Sequence, residues 1–214
     1  MTRRSLVVVS AGLRVPSTTR LLADQLASAT GVALAANGEV SNAYEVDVVT
    51  IEVRDHAHAV VDALLAGFPT GELSEALEQV AAADALVLVT PTFQASYSGL
   101  FKSFMDLIDE GRLRGKPVLL AATGGSERHS LAVEYALRPL VAHLGALAVP
   151  TGVYAATGDL GGGGSEALAA RIERAAAELA GLVGGGQVVA PQRDEWTDPT
   201  PFEQLLGKAS DPSS

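Results

Sequence analysis

At 214 residues the chain suits one α/β domain with an appended tail, and 48% hydrophobic residues supply a sizeable core and argue against wholesale disorder. Its 15 basic against 25 acidic residues leave a net charge of −10 with no local basic cluster, so nucleic acid is not an expected partner; zero cysteines exclude disulfides, thiolate metal sites and cysteine nucleophiles. No apolar run nears the ~20 residues of a membrane span, and the run after Arg3-Arg4 lasts only from Leu6 to Val9, short of the ~7–15 of an export signal, so a cytoplasmic protein is expected.

Residues 5–9 read as a first strand, followed by Ser10-Ala11-Gly12-Leu13-Arg14-Val15-Pro16-Ser17-Thr18-Thr19 and a helix carrying Leu21, Leu22, Gln25 and Leu26. A strand, a hydroxyl-rich turn and a helix N-terminus together make an anion site, because the first helical N–H groups are unpaired and sit at the positive end of the dipole. Ser17, Thr18 and Thr19 add hydroxyls, and Arg14 adds one charge-assisted bond. Read alone, these hydroxyls describe an ordinary N-cap better than an anion site. Neither a P-loop nor a Gly-x-Gly-x-x-Gly turn is present, and a hydroxyl-lined loop without lysine suits a terminal monophosphate.

Residues 44–53 alternate as a second strand, and a helix is expected through Ala66. His56 and His58, two apart on such a helix, point to opposite sides and make a poor metal pair. A turn at 68–71 and a helix over 72–83 lead to the unbroken apolar run 85–89, a strand buried on both faces. Pro91, without an N–H, is expected to end that strand. Leu100, Phe101, Phe104, Leu107 and Ile108 then recur at helical spacing, with Ser98 or Gly99 as N-cap. Residues 116–122 form a fourth strand ending in Thr123-Gly124-Gly125-Ser126, whose paired glycines allow close backbone approach or, on the plainer reading, a tight turn. A helix over 131–144 with Pro139 bending it or lying near a subunit contact, a fifth strand over 147–154, a flexible glycine run at 161–164 and a helix over 166–183 complete the domain, taken as residues 1–185. The tail 186–214 holds Trp196, Phe202, Leu205 and Leu206 and is expected to dock in part, its last residues free. In a doubly wound sheet the loops after the first, third and fourth strands meet at one edge, so these three make one pocket.

The stretch 90–106, Thr-Pro-Thr-Phe-Gln-Ala-Ser-Tyr-Ser-Gly-Leu-Phe-Lys-Ser-Phe-Met-Asp, resembles the second flavin loop of the NADPH-dependent FMN reductase family. That family's pattern is Pro-Glu-Tyr-Asn-x-Ser-x-Pro-Gly-x-Leu-Lys-x-x-x-Asp; Pro91, Phe93, Ser96, Gly99, Lys102 and Asp106 fall on it without a gap. Thr92, Gln94 and Ser98 replace its acid, asparagine and second proline. Residues 10–13, 16–24 and 124–131 are similar to the branch that supplies luciferase-like monooxygenases.

The resemblance implies a flavodoxin-like α/β fold, a doubly wound five-stranded parallel sheet with helices on both faces. It implies an NAD(P)H-dependent reductase that passes hydride to FMN and hands on reduced FMN. The FMN phosphate would lie on Ser10, Leu13, Arg14, Ser17, Thr18 and Thr19, the ribityl chain and ring edge along Pro91, Thr92, Phe93, Gln94, Ser96 and Tyr97, and the pyrimidine end near Thr123, Gly124, Gly125 and Ser126. FMN accepts the hydride itself, so no catalytic side chain and no metal is expected. Arg14 and Arg128 are the basic loop residues for an NADPH 2′-phosphate, and His129 is a ring-edge or partner-contact candidate or an ordinary helix-start residue. A homodimer or dimer of dimers through helices 100–108 and 131–144 is expected to share the pocket. The rivals are a reductase of quinones, azo dyes or metal oxyanions that retains FMN, and a flavodoxin-type carrier; a phosphoacceptor receiver is disfavoured because Ser10 stands where it needs an acid.

Overall fold

A computed structural model describes residues 3–36, 45–160 and 166–185. The expectations for Tyr44, for the glycine run 161–164 and for the tail 186–214 lie outside them. In chain order the elements are β1 (Arg3–Ser10), α1 (Thr18–Ala36), β2 (Glu45–Glu52), α2 (Ala57–Ala66), α3 (Gly71–Ala82), β3 (Ala85–Phe93), β4 (Ser96–Tyr97), α4 (Gly99–Met105), β5 (Pro117–Gly124), α5 (Arg138–His143), β6 (Leu147–Ala148), β7 (Val153–Ala156) and α6 (Glu166–Gly185).

The strands pair in parallel in the order β2-β1-β3-β5-β6, with β7 also on β5, and the chain reverses direction across the sheet between β1 and β3. This is the flavodoxin-like order, which leaves a ligand crevice at the carboxyl ends of the strands flanking that switch. Alternating side chains fill two cores. Val7, Val9, Leu86, Leu88, Val118 and Leu120 pack with α2, α3 and α4 on one face, and Leu6, Val8, Val87, Val89, Leu119 and Ala121 pack with α1 and α6 on the other. Among the described residues no helix is long and apolar enough to cross a membrane.

Four expectations change in detail. Pro91 does not end its strand: β3 continues to Phe93, and Pro91 pairs with Thr123. The Val89 carbonyl accepts the Ala11 N–H, so residues of that parity turn their backbone groups toward β1, whose pairing stops at Val89; the donor that Pro91 lacks has no acceptor waiting. The fifth strand is split into β6 and β7 around Pro150. There Arg138 donates to the carbonyls of Val149 (2.9 Å) and Pro150 (3.0 Å), and Glu178 accepts the Thr151 N–H (2.7 Å), replacing the lost ladder. The helix expected over 131–144 opens into a π-turn at Val133–Leu137 before α5, because Pro139 cannot donate back into the helical ladder. Finally, Phe101, Phe104 and Met105 of α4 are buried in the domain's own core, so Phe104 belongs to folding and not to a subunit contact.

Candidate functional site

The first loop leaves β1 at Ser10, which is buried, its hydroxyl 3.5 Å from a Glu52 carboxylate oxygen. Gly12 follows where nothing larger fits, since an added Cβ would stand 2.0 Å from Ser17 Oγ. Leu13 and Arg14 are exposed at the loop tip, and the Arg14 carbonyl accepts a bond from Arg54 Nη1 (3.0 Å). Ser17 Oγ caps α1 by accepting the Arg20 N–H at 3.2 Å. Thr18, exposed, opens the helix, and its N–H belongs to the first turn, whose donors no helical carbonyl can satisfy.

Thr19 is different. It is 2% exposed and its Oγ1 lies 2.8 Å from Thr123 Oγ1, a bond across 104 residues that ties the first loop to the third. Its hydroxyl, expected to face a phosphate, holds two walls of the pocket together.

The second loop is a hairpin. Thr92 pairs with Tyr97 and Phe93 with Ser96, leaving Gln94 and Ala95 as a two-residue turn at φ 49° and 64°. Both central residues in the left-handed region describe a type I′ turn, which ordinarily takes Asn-Gly; Ala95 is strained there. Thr90 Oγ1 fixes the base of the hairpin by accepting the Ser98 N–H at 3.0 Å, and Ser98 Oγ caps α4 through the Phe101 N–H at 3.2 Å. Tyr97 packs its ring against Phe101, centroids 5.9 Å apart, so it supports the hairpin from below, while Phe93 is 47% exposed at the pocket rim.

The third loop is organised by Tyr154 of β7. Its hydroxyl donates to the Ser126 carbonyl (2.8 Å) and fills the space where a Gly124 Cβ would go, 2.0 Å away. Burial pushes the Tyr154 phenol above its ordinary value, a nearby Thr92 hydroxyl opposing this. Thr92 Oγ1 is itself buried without closing a well-formed hydrogen bond to any protein group. Gly125 has open space beside it, and Ser126 is exposed.

Two contributors lay outside the sequence reading. Glu52, at the end of β2 and 8% exposed, pairs with Arg20 at 2.7 Å and faces Arg54 at 3.7 Å, bracing the first loop from behind. Its hydrogen bond, with that of Asp24, holds the Arg20 guanidinium further above its usual range. The available signal was an acid closing an otherwise apolar strand end. Tyr154 carries no local signal beyond that of a strand residue. The assembled site offers unpaired helix N–H groups and hydroxyls at Ser17 and Thr18 and side-chain-free backbone at Gly124 and Gly125. Those features fit a phosphate at one end and a flat ring with polar edges at the other.

The sequence profile of the NADPH-dependent FMN reductase family matches residues 4–161. The chain is 38% identical over 181 residues to the FMN reductase (NADPH) of Pseudomonas aeruginosa, covering 84% of this chain and 92% of that protein. It is 40% identical over 149 residues to the NADH-dependent FMN reductase SfnF of Pseudomonas putida, covering 70% and 75%. An oxidoreductase from Corynebacterium diphtheriae superposes with a TM-score of 0.79 at 45% identity, covering 86% of this chain and 98% of that one. The apo form of the NADH:FMN oxidoreductase EmoB gives 0.71 at 28% identity, covering 83% and 88%. The chain therefore belongs to the NADPH-dependent FMN reductase family of flavodoxin-like oxidoreductases, enzymes that work with FMN and NAD(P)H.

Proposed function

We propose that this protein binds FMN in the three-loop pocket, reduces it with NAD(P)H and releases reduced FMN to a separate flavin-dependent monooxygenase of the luciferase-like kind. The observation that carries the binding assignment is the first loop's set of free donors, Ser17, Thr18 and the opening N–H groups of α1, at the switch between β1 and β3. FMN, when bound, supplies the hydride-accepting ring. The protein's part is placement. The Thr19–Thr123 bond sets the separation of the phosphate and ring walls, and Glu52 through Arg20 and Arg54 holds the first loop in its turn. The Gln94-Ala95 turn presents Phe93 and Ser96 at the ring edge, and Tyr154 seats the Gly124–Gly125 backbone against the ring plane. Leu13 and Arg14 flank the phosphate from the loop tip, Pro91, Thr92, Gln94 and Tyr97 line or support the second wall, and Ser126 closes the third.

Within one subunit Phe93 leaves one side of the ring open, and release of the flavin is favoured over retention because, among the described residues, the three loops bring no acid or base that a second substrate would need. A homodimer or dimer of dimers closing that open side is part of the reading, supported by exposed Phe93 and Leu131 (61%) beside the pocket. The setting proposed is the cytoplasm, and the FMN unit proposed is residues 1–185 with the tail 186–214 as an accessory.

Replacing Ser17 and Thr18 by Ala removes two hydroxyls to a charged acceptor, each contributing about 1.5–3 kcal/mol. Isothermal titration of the folded double variant should show FMN binding weakened at least tenfold and riboflavin binding unchanged. Equal affinity for FMN in wild type and variant would rule out the phosphate assignment.

A further inference from the structure

On the sheet face opposite α2, α3 and α4, a groove of about 890 Å³ lies between α1 and α6. Leu21, Leu160, Leu168 and Ile172 give it apolar walls, and Leu21 is 43% exposed there. Asp24, Glu166 and Glu173 add carboxylates, and no lysine or arginine lines it among the described residues. None of the three loops assigned to FMN contributes to it. Pockets that bind organic groups run from about 300 to 1,000 Å³, so it has room for a large aromatic side chain and its neighbours.

The segment that joins Leu160 to Glu166 is four glycines and Ser165, with no apolar side chain to place in the groove. A second copy of the chain is a poor occupant, because an isologous contact would set Asp24, Glu166 and Glu173 against the same three acids. The subunit contact proposed through Leu131 also belongs to the other sheet face, where Val133 and Leu137 of the π-turn enter the core beside α4.

The chain itself continues from the groove's own wall. Residues 186–214 follow directly on α6 and carry Trp196, the one tryptophan, with Arg193 three residues before it. Ile172 lies about 20 Å back along α6 from Gly185 at ~1.5 Å per residue. The stretch from Gly185 to Trp196 spans up to about 36 Å at ~3.3 Å per residue, enough to return to the groove with length to spare. The chemistry matches as well. An indole has an apolar body for Leu21 and Ile172 and a donor-only N–H for an acceptor-only carboxylate. In a chain folding back along α6, Arg193 comes before Trp196 and so nearer the helix end, on the side where Glu173 follows Ile172.

We propose that the segment after α6 turns back along that helix and seats Trp196 in the α1–α6 groove, with Arg193 on Glu173, strapping α1 to α6. The inference does not depend on the flavin assignment.

The chain has one tryptophan and no cysteine, so fluorescence reads Trp196 alone and a single introduced thiol can be labelled cleanly. In the flavin-free, full-length protein, Trp196 should emit well to the blue of the urea-unfolded chain, with an acrylamide quenching constant at least threefold smaller. A nitroxide on Ser28→Cys, in the groove, should cut that emission at least twofold, whereas the same label on Glu75→Cys of α3, on the opposite sheet face, should leave it unchanged. Leu21→Glu, at an exposed helix position, should keep the circular dichroism of wild type and return emission and quenching most of the way to the unfolded values. In Trp196→Ala, amide exchange over residues 21–29 should rise at least fivefold while that of residues 71–82 stays the same. Emission and quenching like those of the unfolded chain, equal effects of the two labels, or unchanged exchange over residues 21–29 would overturn the proposal. So would quenching that vanishes after subunit exchange with excess unlabelled chain, since the tail would then lie on a second copy.

Discussion

Gly124 and Tyr154 should behave as one unit. An alanine at 124 puts its Cβ 2.0 Å from Tyr154 Oη and 3.1 Å from Cζ, with Thr92 Cβ at 3.7 Å. Ordinary contact begins at 3.4 Å, so the hydroxyl has to retreat by about 1.4 Å. Tyr154 is only 6% exposed and is held by its bond to the Ser126 carbonyl, which leaves little room for that retreat. Gly124→Ala should therefore cost about 1–3 kcal/mol for overpacking and about 1 kcal/mol more for the broken hydrogen bond. Tyr154→Phe alone should cost about 1 kcal/mol, since Ser126 lies in an exposed turn where water replaces the donor. The double variant loses the clashing oxygen, and the remaining 3.1 Å approach to Cζ relaxes with a shift of a few tenths of an ångström. Its cost should fall short of the summed singles by at least about 1 kcal/mol, well beyond the ~0.5 kcal/mol within which independent sites add. Urea unfolding of the four proteins by circular dichroism measures this, and FMN titration should show affinity lost in Gly124→Ala and largely regained in the double variant. Additive costs, or a Gly124→Ala protein as stable as wild type, would refute the packing argument for the third loop.

The strained turn gives a prediction of opposite sign: Ala95→Gly should raise stability by about 0.5–1 kcal/mol, relief of ~1–2 kcal/mol of left-handed strain offset by glycine's extra unfolded-state freedom; a lowered urea midpoint would mean that the hairpin stores no strain. Glu52→Gln should cost about 1–2 kcal/mol, discounted because Arg20 is 41% exposed and screened, and should weaken FMN more than riboflavin as the first loop loses its brace; equal weakening of both ligands contradicts that role. Because burial raises the Tyr154 phenol above its ordinary 10.0, the folded state resists its ionisation. Its contribution is thus intact below pH 10 and lost as pH rises through the folded value, so the urea midpoint should drop between pH 9 and 11 less steeply in Tyr154→Phe than in wild type.

The strands and most helices were legible because buried parallel strands and amphipathic helices leave local patterns, as in residues 85–89 or in α4 with its Ser98 cap. The local patterns misled where a neighbour decides the outcome. Pro91 continues β3 because β1 has already ended beside it, and Pro150 splits the last strand because Arg138 and Glu178 stand ready to take its backbone partners. The same holds in the site. Three loops were readable as hydroxyl and glycine turns, but the Thr19–Thr123 bond joins residues 104 apart, and the roles of Glu52 and Tyr154 follow from sheet register that no local window contains.

FMN should pass through this pocket as a substrate of NAD(P)H-dependent reduction. Anaerobic mixing of a catalytic amount of protein with a large excess of FMN and NADPH, following the loss of flavin absorbance, tests it most directly. Many turnovers are expected, with one NADPH consumed for each FMN bleached and no other acceptor present; bleaching that stops at one equivalent of protein, or begins only when a quinone or dye is added, would rule out FMN as a released substrate.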